Sequence, residues 1–192
     1  QDILRAYPHA QLDWVVERGF APLVQRLREN RDDLYVMTTP PSDMDLQDQV
    51  FLANPLVMIA PRGHALSARK RIALSALHGE RFLLREKGSG TRMVGDQFFR
   101  SMKFRPDVRL ELGSNEAVKE SVAGGLGLGV ISRHALHGLL KEHGVSVIDV
   151  QGFPLPSAWH IVHPASKKMS PLAQAFKPGI PRSEEHTSEL QS

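Results

Sequence analysis

Three junctions in this sequence place small polar residues directly after an apolar, strand-like segment. Gly88-Ser-Gly-Thr91 and Gly113-Ser-Asn115 each lead into a segment with helical spacing, and Thr38-Thr39 ends a short apolar run. Ser, Thr and Asn side chains cap helix starts, where free N–H groups and the positive end of the helix dipole attract anions. Each junction alone is explained by capping. Three at strand ends favour an anion-binding cleft, because ligands of open α/β folds bind beyond the carboxyl ends of strands.

The charge of the chain also favours an anionic ligand. Residues 1–53 carry five basic and nine acidic side chains, whereas residues 54–151 carry fifteen basic and nine acidic ones, a net charge of +6. Basic regions attract nucleic acids, phosphorylated metabolites and carboxylates alike, or simply aid solubility. Because the basic residues are dispersed and aromatic residues make up only 6% of the chain, the pattern does not indicate a nucleic-acid surface.

Motifs that would indicate catalysis or a metal are weak. Gly88-Ser-Gly-Thr91 lacks the spacing and the lysine of a P-loop, and Gly125-Leu-Gly-Leu-Gly129 lacks the spacing of the dinucleotide-binding motif. We attribute the latter glycines to close packing of a strand against a helix. Ser67-Ala-Arg-Lys70 has no partner motif, and His134 and His137 have no third clustered ligand. We therefore expect no catalytic residues, no metal and no cofactor.

Composition bounds the class of protein. Hydrophobic residues make up 41% and charged residues 23% of the 192 positions, as in ordinary globular domains. The absence of cysteine excludes disulfides and thiolate metal sites, and it suits a reducing compartment. The longest apolar runs, such as 55–61, are too short to span a bilayer.

Alternating strand-like and helix-like patterns predict an α/β fold whose parallel sheets are covered by helices on both faces. We predict strands over 11–17, 33–37, 49–52, 56–60, 81–85, 108–112, 126–132, 145–150 and 159–163, and helices over 22–30, 92–102, 116–123, 133–140 and 170–176. Two crossing segments, at 54–61 and 151–159, divide these elements into two lobes. One lobe spans 1–56 with 157–177, and the other spans 60–150.

Several longer segments resemble the effector-binding domain of LysR-type transcriptional regulators. The resemblance runs from about Leu4 to Phe176 and is carried by 54–66, 85–92 (Arg-Glu-Lys-Gly-Ser-Gly-Thr-Arg), 111–119 (Glu-Leu-Gly-Ser-Asn-Glu-Ala-Val-Lys), the glycine-rich 122–132, and 170–176. Within that family, Asp32-Asp-Leu-Tyr35 and Thr39-Pro-Pro41 resemble the regulators of the Calvin-cycle (RuBisCO) operon.

This resemblance implies two Rossmann-like lobes joined by two crossing segments, the architecture of type 2 periplasmic binding proteins. It also implies a winged helix-turn-helix, a linker helix and a first effector-domain strand upstream of Gln1. The family implies a cytoplasmic homodimer or homotetramer that binds DNA, does not enter membranes, and holds a small anionic effector between its lobes. A phosphorylated sugar, NADPH or a carboxylate is the expected effector.

The effector site implied by the resemblance combines a first-lobe strand end, two second-lobe helix starts and two arginines as charge partners. Its residues are Thr38, Thr39, Arg85, Ser89, Gly90, Thr91, Arg92, Ser114 and Asn115.

We predict the effector-sensing domain of a transcriptional regulator, without catalysis, that controls CO2-fixation genes. A periplasmic solute-binding protein of a transporter is the alternative, since it shares the fold. An enzyme is less favoured, because no nucleophile, base and orienting residue can be assembled. Residues 182–192 match a translation of common sequencing-adapter DNA, so we expect them not to be native protein.

Overall fold

The chain divides into two units in its computed structural model, which describes residues 7–9, 11, 13–17, 19–136 and 144–177. The first unit comprises Gln1–Ala53 and Ala158–Ser192, and the second comprises Asn54–Ser157. The chain therefore passes from one unit to the other twice. The segment 182–192, predicted to come from adapter DNA, lies outside the described residues.

The elements of the described residues are named in chain order. They are α1 (Phe20–Arg28), β1 (Tyr35–Met37), β2 (Leu46–Ala53), β3 (Leu56–Pro61), β4 (Arg81–Arg85), α2 (Gly90–Ser101), β5 (Asp107–Leu112), α3 (Asn115–Ala123), β6 (Leu128–Ser132), β7 (Val145–Val147), β8 (Ala158–Pro164) and α4 (Pro171–Phe176), with short 3-10 turns at Ala65–Ala68, Leu74–Leu77 and Arg133–Ala135. Strands and α-helices alternate from β4 to β6.

The first unit is built on a small antiparallel sheet. Among its described residues the strand order is β1-β8-β2, and both neighbouring pairs are antiparallel. Tyr35 and Val162, cross-strand partners on one face, pack with Leu27 of α1 in a buried cluster. The prediction of a parallel sheet is therefore wrong for this unit. Its middle strand, β8, begins where the chain returns from the second unit to the first. No βαβ crossover therefore fixes its direction.

The predicted strand at 11–17 is wrong for the described part of that segment, which contains no strand. Its alternating apolar residues include Trp14, which is 74% exposed, and Val16, which is 89% exposed. Alternation favours a strand only when a neighbouring strand accepts the backbone hydrogen bonds. Val36 of the edge strand β1 is also exposed, at 43%. Among its described residues, the first unit thus presents exposed apolar side chains and, at β1, a sheet edge without a further strand.

We expect Val16→Lys to raise the soluble fraction of the chain. Exposed apolar residues promote association, and a lysine in their place opposes it. Because Val16 is 89% exposed, the free energy of unfolding should change by less than about 0.5 kcal/mol. The measurement is the protein left in solution after ultracentrifugation. Gln11→Lys is the control, because it adds the same charge to the same exposed segment without removing an apolar group; equal gains from both variants would contradict the apolar explanation.

The second unit contains a mixed sheet. Its described strands have the order β5-β4-β6-β3-β7. β4 pairs in parallel with β5 and β6, whereas β3 pairs antiparallel with β6 and β7. The predicted parallel arrangement is correct for the first three strands and wrong for the other two. β3 follows a chain passage between units rather than a helical crossover, and only such a crossover returns the chain in the same direction.

Helices cover both faces of this second sheet, as predicted. Alternate residues of β4 belong to different cores: Phe82 packs with Phe99 of α2, and Leu83 packs with Val118 of α3. All four side chains are essentially buried. Strand residues alternate between the two faces of a sheet, so β4 anchors a helix on each side.

Three predicted elements of the second unit differ in extent. The strand predicted at 126–132 begins at Leu128. Of the helix predicted at 133–140, the described part contains a 3-10 turn at Arg133–Ala135, and residues 137–143, including His137, lie outside the described residues. The strand predicted at 145–150 ends at Val147, with Val150 forming an isolated bridge to Ile72.

Candidate functional site

Two of the three polar junctions lie at one edge of the second sheet. Arg85, the last residue of β4, is in register with Leu112, the last residue of the parallel strand β5. The Glu86 N–H also donates a hydrogen bond of 3.0 Å to the Leu112 carbonyl. Both strands therefore end at the same level, and α2 and α3 begin as neighbours at this carboxyl edge.

Ser89 caps the first of these helices. Its Oγ accepts a hydrogen bond from the Arg92 N–H at 3.1 Å, and α2 then begins at Gly90. Gly88, at φ +91°, makes the preceding turn in a conformation that favours glycine. Ser89 and Thr91 are buried, at 7% and 8% exposure, so these two side chains present little surface to a ligand.

Ser114 caps the second helix, and its side chain is open to solvent. Its Oγ accepts a hydrogen bond from the Ala117 N–H at 3.0 Å, and Ser114 itself is exposed. Asn115 is the first residue of α3. The Asn115 side-chain Oδ1 is buried and has no hydrogen-bond partner among the described residues. Buried polar atoms in folded proteins are nearly always paired, so this amide calls for a further partner.

Both predicted arginines are already paired with carboxylates. Arg92 is buried at 8% exposure; its Nε lies 2.9 Å from Asp96, and its Nη1 lies 3.1 Å from Glu111 Oε1. Arg92 Nη1 also donates to the Arg85 carbonyl at 2.8 Å, which ties α2 to the end of β4. The Arg85 side chain binds Glu86 through two hydrogen bonds of 2.8 and 2.9 Å.

A third cation lies at this edge, and the sequence pattern did not single it out. Lys119 of α3 is buried at 6% exposure; its Nζ lies 2.5 Å from Glu116 and donates to the Ala135 carbonyl at 3.4 Å. The i, i+3 spacing of Glu116 and Lys119 is visible in the sequence and indicates a helical ion pair. The contact of Lys119 with Ala135 is not visible in the sequence, because it depends on how α3 packs beside the turn that follows β6.

The structure thus brings seven of the nine predicted site residues to one sheet edge of the second unit. The remaining two, Thr38 and Thr39, directly follow β1 in the first unit, where Thr38 is half-buried and Thr39 is exposed. They end a strand, as predicted. The roles of all nine residues in binding remain predictions.

Metal sites and membrane spans are both absent from the described residues. No cluster of three or more His, Asp or Glu side chains in the described part of the chain could hold a metal ion. Among the same residues, no helix combines the length and the apolar character needed to cross a membrane.

Two α/β units, one with an antiparallel sheet and one with a mixed sheet, define a ligand-binding domain of the periplasmic-binding-protein type. Within that class, the chain belongs to the LysR substrate binding domain family, whose model matches residues 1–177. It is the effector-binding domain of a LysR-type regulator, and the comparisons do not favour a solute-binding protein of a transporter.

Two curated relatives match this chain at the same level of identity. The chain is 44% identical over 154 residues to a RuBisCO operon transcriptional regulator of Acidithiobacillus ferrooxidans, a match that covers 80% of this chain and 50% of that protein. It is also 44% identical over 156 residues to the HTH-type transcriptional activator CmpR of Synechocystis, covering 80% and 51%. The chain therefore spans about half the length of these relatives.

A solved structure resembles this chain in both fold and sequence. The regulatory domain of CcmR from Synechocystis PCC6803, in complex with 2-PG, matches with a TM-score of 0.86 and 38% identity. The match covers 92% of this chain and 85% of that one. The predicted family and fold class are confirmed.

Proposed function

We propose that this domain binds a small anionic metabolite at the carboxyl edge of its second sheet and thereby controls a transcription regulator of CO2-fixation genes. The observation that carries the proposal is the pair of capped helix starts, at Ser89 and Ser114, on adjacent parallel strands. Each start offers free backbone N–H groups and the positive end of a helix dipole. Two such ends at one edge stabilise negative charge that neither strand nor turn could hold alone.

The buried Oδ1 of Asn115 supports the same location. This atom lacks a partner among the described residues, although it is buried at the start of α3. Rotated by half a turn, the Asn115 amide would present its NH2 group, which donates to an anion. Either orientation leaves a polar group that a ligand hydroxyl, carboxylate or phosphate would satisfy.

The relatives support the choice of metabolite and of target genes. The name of one curated relative refers to the RuBisCO operon, and the CcmR domain was solved with 2-PG. We propose a small phosphorylated or carboxylated effector of this kind, 2-phosphoglycolate being the first candidate and sugar phosphates and NADPH the next. Control of genes would require DNA binding by a part of the protein beyond this domain. We further propose a cytoplasmic, non-catalytic protein that acts as a homodimer or homotetramer.

Calorimetric titration at fixed salt with 2-phosphoglycolate, a sugar phosphate and NADPH tests the proposal. We expect Ser114→Ala to weaken binding of the effector about ten- to a hundredfold, because a hydrogen bond to a charged ligand is worth about 1.5–3 kcal/mol. Losing the helix cap should also lower the free energy of unfolding by about 1 kcal/mol. An effect on folding must therefore be separated from an effect on binding.

Ser170→Ala is the matched control. Ser170 caps α4 in the first unit, and its Oγ accepts from the Ala173 N–H at 3.1 Å, the same geometry as at Ser114. This variant should lose a similar cap energy and bind the effector as tightly as the wild type. If no anionic metabolite gives heat, or if the Ser114 and Ser170 variants bind alike, the proposed site is wrong.

A further inference from the structure

The cations gathered at the helix starts are internally neutralised. Arg85 is paired with Glu86, and Lys119 is paired with Glu116. Arg92 faces two carboxylates, those of Asp96 and Glu111. A ligand with two anionic groups needs positive charge beyond the helix ends, and these side chains could supply it only by leaving their present partners. An unpaired cation at the same edge would bind such a ligand without that cost.

Arg133 meets this requirement. It directly follows β6, its side chain is exposed, and its guanidinium has no hydrogen-bond or ion-pair partner within the part of the chain that the structure describes. β6 is the other parallel neighbour of β4, with Leu83 in register with Gly129. β5 and β6 lie on either side of β4 and run parallel to it, so Arg133, which follows β6, and Ser114, which follows β5, both lie beyond the carboxyl ends of strands that flank β4.

The spacing of the strands sets the size of the ligand. Neighbouring strands lie about 4.8 Å apart, so β5 and β6, which flank β4, are separated by about 10 Å. The start of α2 follows the middle strand and lies between them. A small metabolite with one anionic group on the helix starts would direct a second group toward Arg133.

The backbone at Arg133 is held firmly in place. The Arg133 N–H donates to the Pro55 carbonyl at 2.9 Å. The preceding residue, Ser132, is buried; its Oγ lies 2.5 Å from Asn54 Oδ1 and accepts from the His134 N–H at 3.2 Å. A fixed backbone lowers the entropy cost of orienting a guanidinium, whose planar fork matches a carboxylate or a phosphate.

We propose that Arg133 binds the second anionic group of an effector that carries two. Arg133 would then be the residue that selects such effectors over anions with a single charged group. This inference rests on the proposed function, since it assumes that the first anionic group occupies the helix starts. The ligand class is a short metabolite with a phosphate at one end and a carboxylate or second phosphate at the other.

Lys87 is the competing cation at this edge. It is exposed and, within the described residues, has no ion-pair partner either. Lys87 lies in the turn between β4 and α2, where a flexible ammonium makes a less directional contact than a guanidinium does. The structure therefore favours Arg133, and a Lys87 variant belongs in the test.

The test compares 2-phosphoglycolate with methyl phosphate, which keeps the phosphate and lacks the carboxylate, by calorimetry on the 192-residue chain. We expect the wild type to prefer 2-phosphoglycolate, and Arg133→Gln to weaken its binding about ten- to a hundredfold while leaving methyl phosphate unchanged. Arg133→Lys, which keeps the charge and loses the fork, should fall between them. Arg105→Gln is the control, because Arg105 is also exposed but precedes β5, at the opposite edge of the sheet.

The outcomes separate this inference from the function on which it rests. If 2-phosphoglycolate binds and Ser114→Ala weakens it, but Arg133→Gln binds it as the wild type does, the role of Arg133 is overturned and the proposed site stands. Loss of the preference in Lys87→Gln rather than Arg133→Gln also overturns it. If the wild type binds neither probe nor any other anionic metabolite, both proposals fail together.

Discussion

Replacing Gly127 by alanine is expected to lower the free energy of unfolding by about 3–5 kcal/mol, through backbone strain and overpacking together. A Cβ at this position would lie 2.4 Å from the Arg81 carbonyl oxygen, and φ is +156°, where side chains other than glycine are strained. The obstacle is the backbone of β4, which cannot rotate away as a flexible side chain would. The expected loss is a large part of the roughly 5–15 kcal/mol by which domains are typically stable.

Gly124→Ala provides the control from the same glycine-rich segment. Gly124 ends α3 with φ −71°, and an added Cβ would meet only ordinary contacts of 3.5 Å with the Glu120 and Ser121 carbonyls. Alanine should therefore be neutral or stabilise the fold by up to about 1 kcal/mol, since it restricts the unfolded chain. Urea denaturation followed by far-UV circular dichroism measures both. Similar stabilities for the two variants would show that the approach of Gly127 to Arg81 is not constrained.

The close packing of a strand against a helix that the sequence suggested for the glycines of 125–129 is confirmed at Gly129 only: a Cβ on Gly125 would meet nothing within 4 Å, and Gly127 approaches the strand β4. A Cβ on Gly129 would lie 2.8 Å from Val118 Cγ1 and 2.9 Å from Val122 Cγ2, so β6 and α3 approach too closely for any side chain there. The sequence could suggest close packing because the glycine spacing of 125–129 differs from that of a dinucleotide-binding motif, which left packing as the explanation for these glycines. Which helix makes the approach could not be predicted, because it depends on contacts distant in sequence.

Other features of the site also depend either on contacts within a few residues, which the sequence can predict, or on contacts between distant segments, which it cannot. The caps at Ser89 and Ser114 could be predicted because each bonds an N–H three residues ahead. The pairing of Arg92 with Asp96 follows from i, i+4 spacing, but its pairing with Glu111 joins two different elements. The family resemblance therefore implied two arginines as ligand partners without showing that both are already neutralised.

The direction of the strands was the main feature that local patterns could not predict. Hydrophobic alternation reports which face of a strand is buried and carries no information about its neighbour's direction. Segments that follow a helical crossover, such as β5 and β6, have the predicted parallel partner. β3 and β8, which begin where the chain passes between units, pair antiparallel with their neighbours. Chain passages, rather than residue patterns, decide these pairings.

Phe82→Ala is expected to cost about 3–5 kcal/mol, the usual range for removing a fully buried aromatic ring. Phe82 is 0% exposed, and its ring centroid lies 5.8 Å from that of Phe99 and 5.9 Å from that of Phe104, both edge to face. Alanine would leave a cavity between β4 and α2. Because these elements carry Arg85 and the Ser89 cap, the variant should also bind the effector more weakly at temperatures where it remains folded.

Phe51→Ala is the matched control for this change. Its ring is only partly buried and stacks on Trp159 at 6.2 Å in the first unit, so we expect a loss of about 1 kcal/mol. Far-UV circular dichroism is the appropriate probe, because Trp14 and Trp159, the chain's two tryptophans, both belong to the first unit and report poorly on β4. Equal losses for the two variants would mean that the Phe82 cluster does not dominate the second core. The position of α2 against β4, and with it the helix start at Ser89, would then have to depend chiefly on the hydrogen bond from Arg92 to the Arg85 carbonyl.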